Sequence, residues 1–492
     1  MTCTSLVMIF ILAVLPCIFR SVQGVSVKLE KDILDNNTFP KDFLFGVSTY
    51  APQYEGAWNV SDKGESVWDH MIHANPGLIE DRSNMDVACD FYHKYKEDLR
   101  LARSIGTQMF KLSFSWSRLL PSGFTNHVSK DGVRFYNDVL DEIAANGMIP
   151  MVVLLQMDLP YNLQKMGGLA NPLFIDWFEQ YARFVFTTFG DKVKHWITVN
   201  DPNLLCAGGY GDIMIPLLQL SGIADYICGH HFLLAQARVY HMYDREFRPS
   251  QKGKIGYSIY FQYAQPADPS SPDDISTAER DYQWFLGWLL HPVFSSTGDY
   301  TAIMKETIAN HSRIQGFSMS RMPSFTQEQI HDVRGASDFL GINFYSHELA
   351  TSLNNVDIHS VGFDFDSGSL AAEEFNFKDA PAMFGKLIRR LHEDYGAMFY
   401  ITENGFSEAA LEDKAKVAYL RGHIAEVLKA VQNGVNIQGY LLWSLLDNFE
   451  LPFGFQPKYG IFHVDFKNPN LTRTPRLSSK LITNIYTTRR LD

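Results

Sequence analysis

Polar side chains stand at the ends of apolar runs throughout this 492-residue chain. Gln53 and Glu55 follow the first run, Ser117 and Arg118 the second, Asp158 the third, and Asn200 and Asp201 the fourth. Asn343 and Tyr345 lie near the end of a later run, Glu403 and Asn404 close another, and Asp447, Asn448 and Glu450 follow the last. Several carboxylates brought to one rim can do acid–base or nucleophilic work. A pair facing each other across a barrel mouth suits glycoside hydrolysis: one attacks the anomeric carbon, and the other protonates the leaving oxygen and then activates water. No Cys/His cluster has zinc spacing, so neither a metal nor a cofactor is expected.

Those residues need elements to hold them. Eight β-rich runs supply the candidates: 43–51, 109–116, 148–157, 195–201, 254–264, 338–346, 398–405 and 437–447. Most of the stretches between them can hold a helix, and RFYNDVLDEIAANG (134–147) and AKVAYLRGHIAEVLKAVQNG (415–434) are amphipathic and close on Gly. Runs apolar on both faces and separated by helices predict a parallel sheet covered by helices. Eight such units predict a (β/α)8 TIM barrel, whose chemistry sits at the C-terminal ends of its strands. The stretches after the fifth and sixth runs, about 267–330 and 347–390, read as loops around the site.

Length alone allows about three domains. Hydrophobic residues at 46% and aromatics at 14%, with no low-complexity break, favour one large core instead. The net charge of −12 makes nucleic acid and anionic membranes poor partners and fits a small neutral one. Leu6 to Phe19 is uncharged, and Val22 and Gly24 stand where a signal-peptide cleavage site needs small residues. Residues 1–24 are therefore expected to be a leader and 25–492 the barrel, secreted and without a membrane anchor. Cys206 and Cys228 are the nearer pair among the three cysteines beyond the leader, which allow one bridge at most. Asn36, Asn59, Asn310 and Asn470 are sequons and candidate glycan sites.

Six motifs in order resemble glycoside hydrolase family 1. They are FLFGVSTYAPQYEGAW (43–58), WSRLLPSG (116–123), WITVNDP (196–202), DFLGINFYS (338–346), YITENG (400–405) and YLLWSLLDNFE (440–450), and FLGWLLHP (285–292) is also similar. The resemblance covers nearly all of the chain beyond the leader and is closest in style to secreted animal β-glucosidases and lactase-like proteins. It implies a retaining β-glycosidase acting on a small-molecule glycoside or oligosaccharide. It further implies Glu403 as nucleophile, Arg118 as the cation beside it, and Tyr345 as a hydrogen-bond donor to it. Asn200 would hold the sugar 2-hydroxyl, Gln53 and Glu450 would bind other hydroxyls, and Trp443 would be the platform under the ring. Asn343 is read as supporting structure.

The sequence departs from the family around that one ring. The acid/base position, Glu in the family, is Asp201. The shorter side chain withdraws the acid by one C–C bond, about 1.5 Å. Gln156 stands where the family has His, Leu451 where it has Trp, and Tyr459 where it usually has Phe. These changes predict altered specificity or weakened glucosidase activity. A carbohydrate-binding or receptor-like protein, and a transglycosidase, remain alternatives on the same scaffold.

Overall fold

All eight runs become strands in the computed structural model, which describes residues 37–211, 217–352, 357–372 and 380–491. The leader and the Asn36 sequon lie outside the described residues. The strands are β1 (Leu44–Ser48), β2 (Met109–Ser113), β3 (Ile149–Leu155), β4 (His195–Asn200), β5 (Lys254–Pro266), β6 (Phe339–Ser352), β7 (Phe399–Glu403) and β8 (Ile437–Leu442). Each pairs in parallel with its neighbours in chain order; β8 pairs with β1 and so closes the barrel. This is a (β/α)8 TIM barrel.

Burial on both faces explains the continuous apolar runs. Phe110 and Leu112 of β2 face one way and Met109, Lys111 and Ser113 the other, as the strand period of two requires, and all five are buried. The helices that cover the strands include α1 (Phe91–Ser104), α2 (Lys130–Ala145), α3 (Phe174–Phe189), α4 (Ala224–Glu246), α5 (Ala380–Tyr395), α6 (Lys414–Gln432) and α7 (Leu477–Thr488). In α2, Phe135, Tyr136, Val139, Leu140 and Ile143 form the buried stripe expected of a helix on a core. That helix begins four residues before the expected start, because the Ser129 side chain accepts the Gly132 N–H and caps the first turn. Both expected glycines follow their helices at positive φ, Gly147 at 72° and Gly434 at 85°.

Two differences concern the rim. β5 and β6 run well past the barrel, pairing from Gly256 and Phe339 out to Pro266 and Ala350. The far end of β6 then pairs antiparallel with a short strand, Ser369–Ala372. The expected run for β5 already reached 264, whereas β6 continues beyond the expected end at 346 through residues such as Glu348 and Thr351, which read in sequence as loop. Behind the end of β4, the Cys206–Cys228 disulfide ties the segment following Asp201 to α4.

Candidate active site

The C-terminal ends of the strands surround a cavity of about 240 Å³. Gln53, Gln156, Asp201, Tyr345, Glu403, Trp443, Glu450 and Leu451, all anticipated from sequence, line it together with Tyr50, Tyr260 and Tyr459. Strand register explains the convergence: Asn200 of β4 pairs with Ser258 of β5, and Asn343 of β6 with Glu403 of β7.

Glu403 is the most heavily coordinated carboxylate in the cavity. Its Oε1 accepts from Lys111 Nζ at 3.0 Å and from the Tyr50 hydroxyl. Its Oε2 accepts from the Tyr345 hydroxyl at 2.6 Å. A carboxylate has about four lone-pair sites, so the open one is on Oε2. Burial pulls the Lys111 ammonium below the ordinary lysine range, and the charge of Glu403 opposes that pull. Burial and then Glu403 push the Tyr345 phenol well up, which keeps it a donor.

The cation beside Glu403 is therefore Lys111, not Arg118. Arg118 Nε donates to Glu55 at 2.8 Å, and its Nη2 donates to the backbone carbonyl of Gly56 at 3.0 Å. It lies on the short helix Trp116–Leu119 after β2, beyond the strand whose alternation aims side chains inward. The sequence signal for Lys111 was a charge in the middle of an otherwise apolar strand, where burial demands a partner. Tyr50 was also missed; it sits inside a motif but outside the positions matched to a role.

Asp201 faces the same cavity from the end of β4. Its Oδ2 accepts from Asn200 Nδ2 at 2.9 Å and its Oδ1 from Asn343 Nδ2 at 2.7 Å. Burial, and after it the charge of Glu403, push this carboxyl well above the usual carboxylate range, while Lys111 and the two amides pull it down. Both oxygens are held back against the barrel by amides that themselves belong to strands.

Glu450 accepts from Trp443 Nε1 at 3.1 Å and from Gln53 Nε2 at 3.4 Å, and burial pushes its carboxyl up to about 8. Gln156 is buried, and among the described residues its Oε1 has no hydrogen-bond partner. A buried amide oxygen left open in a cavity wall is suited to a ligand hydroxyl. Asn200 lies beneath the wall rather than in it, fully buried. The remaining rim residues do structural work. Glu55 takes Arg118 and Tyr136, Asp447 takes Arg476 and His463, and Asn404 bridges Phe344 and Tyr440.

Two stability predictions arise here. Lys111→Met leaves the buried Glu403 charge without its cation, a loss of about 3–5 kcal/mol. A urea midpoint lowered by that amount is expected; an unchanged midpoint would show that Lys111 is not ionised in the fold. Asp158 is fully buried, and burial pushes its carboxyl from 3.8 up to about 8, against the backbone N–H groups of Gln156 and of Asp158 itself. The folded state thus keeps a proton that the unfolded chain releases near pH 4. The stabilisation is complete at low pH and is lost as pH rises towards 8. Asp158→Asn cannot ionise, so its stability relative to the parent should climb by on the order of 3 kcal/mol from pH 5 to pH 8. Parallel unfolding curves at both pH values would refute this.

The family model for glycosyl hydrolase family 1 matches residues 35–491. Myrosinase 1 of Brevicoryne brassicae is 39% identical over 92% of this chain and 98% of its own length. Lactase/phlorizin hydrolase of Homo sapiens is 38% identical over 94% of this chain, which spans 24% of that protein. Among solved structures, a β-glucosidase of this family from the fungus Humicola insolens, in complex with glucose, superposes with a TM-score of 0.83 at 31% identity, covering 92% of this chain and 99% of that one.

Proposed function

The chain belongs to glycosyl hydrolase family 1, and from that premise we propose a secreted, retaining β-glycosidase of β-glucosidase type with a retuned pocket. The observation that carries the reading is the convergence of Lys111, Tyr50 and Tyr345 on Glu403 in a cavity that also holds Asp201, whose carboxyl burial pushes well above the usual range. Those donors fix the carboxylate in place, and its one open lone pair on Oε2 is available to attack. Glu403 displaces the aglycone from the anomeric carbon and forms a glycosyl–enzyme ester. Asp201 gives its proton to the departing oxygen, then takes one from the water that cleaves the ester. Trp443 forms the platform, and Gln53, Gln156 and Glu450 bind ring hydroxyls.

Secretion is supported by the uncharged run Leu6–Phe19 of the leader and by a disulfide between Cys206 and Cys228, since such bonds persist in oxidising compartments. The sequons at Asn59, Asn310 and Asn470 are exposed, as glycan sites must be. One observation favours the binding-protein alternative: both Asp201 oxygens are already occupied by amides.

Trapping separates the two. The purified protein is incubated with a 2-fluoro-β-glucoside bearing a dinitrophenyl leaving group, and its intact mass is recorded. A mass increase of one fluoroglucosyl group, located on Glu403 by peptide mapping and absent in Glu403→Gln, is expected. No adduct with gluco, galacto, fuco or manno reagents would favour the binder.

A further inference from the structure

We propose that this pocket does not read the sugar hydroxyl at C2, and that 2-deoxy-β-glycosides are substrates on a par with their 2-hydroxy counterparts. The inference rests on the glycosidase reading and adds a specificity to it. Carbon 2 adjoins the carbon that Glu403 attacks, so a C2 hydroxyl must settle beside the Glu403 carboxylate. In glycosidases, hydrogen bonds to that hydroxyl strengthen in the transition state. Here the place beside the carboxylate is occupied by the protein itself.

The occupant is the Tyr50 hydroxyl. It lies within hydrogen-bond reach of both Glu403 Oε1 and Asn200 Oδ1, the latter at 2.8 Å, and its single hydrogen goes to the carboxylate, the stronger acceptor. Lys111 Nζ donates to the same phenol oxygen. The Tyr50 ring is 2% exposed and packs against Trp443, with ring centroids 5.0 Å apart. A substrate hydroxyl would have to displace a buried phenol that donates to Glu403 and accepts from Lys111.

Asn200 is closed off as well. Its Oδ1 accepts from Lys111 at 3.2 Å, from Asn343 Nδ2 at 3.0 Å and from the Ser258 hydroxyl. Lys111 can only donate, so the oxygen must face it, and the amide nitrogen is thereby aimed at Asp201. Tyr50 and Asp201 line the cavity, whereas Asn200 and Lys111 lie behind them, fully buried. The carboxylate and amide that would have gripped a C2 hydroxyl are instead satisfied by Tyr50 and Asp201. A ligand without that hydroxyl leaves no buried group unpaired, so it incurs no penalty for lacking it.

The test compares kcat/KM for 4-nitrophenyl β-glucoside and its 2-deoxy analogue, after subtracting spontaneous hydrolysis. The expected ratio lies within about threefold of unity or favours the deoxy sugar; a loss of more than about tenfold on the deoxy sugar overturns the inference and leaves the glycosidase reading standing. Absence of turnover on both substrates, with no fluoroglucosyl adduct, overturns both. Tyr50→Phe removes the occupying hydroxyl and should shift the ratio at least about tenfold towards the 2-hydroxy sugar. An unchanged ratio in a folded Tyr50→Phe protein would remove Tyr50 from the explanation and overturn the proposal. Should that variant fail to fold, the parent's own ratio decides.

Discussion

Glu403→Gln should lower turnover of a dinitrophenyl β-glucoside by on the order of 10⁴-fold or more, the largest effect expected of any single substitution in this protein. The amide is nearly the size of the carboxylate and can still accept from Tyr50 and Lys111, so the cavity keeps its shape. It cannot supply the anionic oxygen that forms the ester. The good leaving group matters to the design, because departure of dinitrophenolate needs no proton and isolates the attack from the work of Asp201. The substitution also leaves Lys111 without a counter-charge in a fully buried position, so a loss of stability of a few kcal/mol accompanies it. Assays well below the melting temperature separate that loss from the chemical one. Residual turnover within tenfold of the parent would assign the attack to another group.

The second large effect concerns the acid. The parent protein should turn over dinitrophenyl glucosides far better than alkyl glucosides, by on the order of 10²-fold or more. Asp201 is one methylene short of the side chain the family uses, about 1.5 Å. Misplacement of a reacting group by about 1 Å can cost on the order of a hundredfold. The structure adds a second reason: Asn200 and Asn343 hold both Asp201 oxygens against the barrel at 2.9 and 2.7 Å. Its protonation state is not the obstacle, because burial keeps the carboxyl protonated at higher pH than an exposed Asp. Asp201→Glu restores the reach. It should raise turnover of alkyl glucosides at least about tenfold while changing that of the dinitrophenyl substrate by less than about threefold. Equal rates on both aglycones in the parent would show that a backbone shift already places Asp201 correctly.

Much of this architecture is legible in one sequence because its signals are local. A strand buried on both faces must be apolar along its length, so the eight runs announce themselves, and barrel geometry then places the residues after each run at one rim. Glu403, Asp201, Tyr345 and Glu450 follow from that rule together with the family motifs. The extension of β6 beyond 346 escaped it because an alternating strand above the barrel looks like loop.

What a run of residues cannot express is which partners meet across the barrel. Arg118 and Lys111 are both cations near the second strand, seven positions apart, and motif matching chose the one at the end. The fold chose the other, because β2 aims Lys111 into the barrel while the turn after it carries Arg118 outward to Glu55. Tyr50 likewise gains its meaning only from residues 61, 150 and 353 positions away, Lys111, Asn200 and Glu403. The sequence by itself determined the barrel, the family and the carboxylates at the rim, since these depend on periodicity and short motifs. The tertiary structure alone decided which cation guards Glu403, how tightly Asp201 is tethered and what fills the space beside carbon 2. Each of these depends on side chains from different strands meeting within hydrogen-bond distance, and closure of the barrel sets that distance.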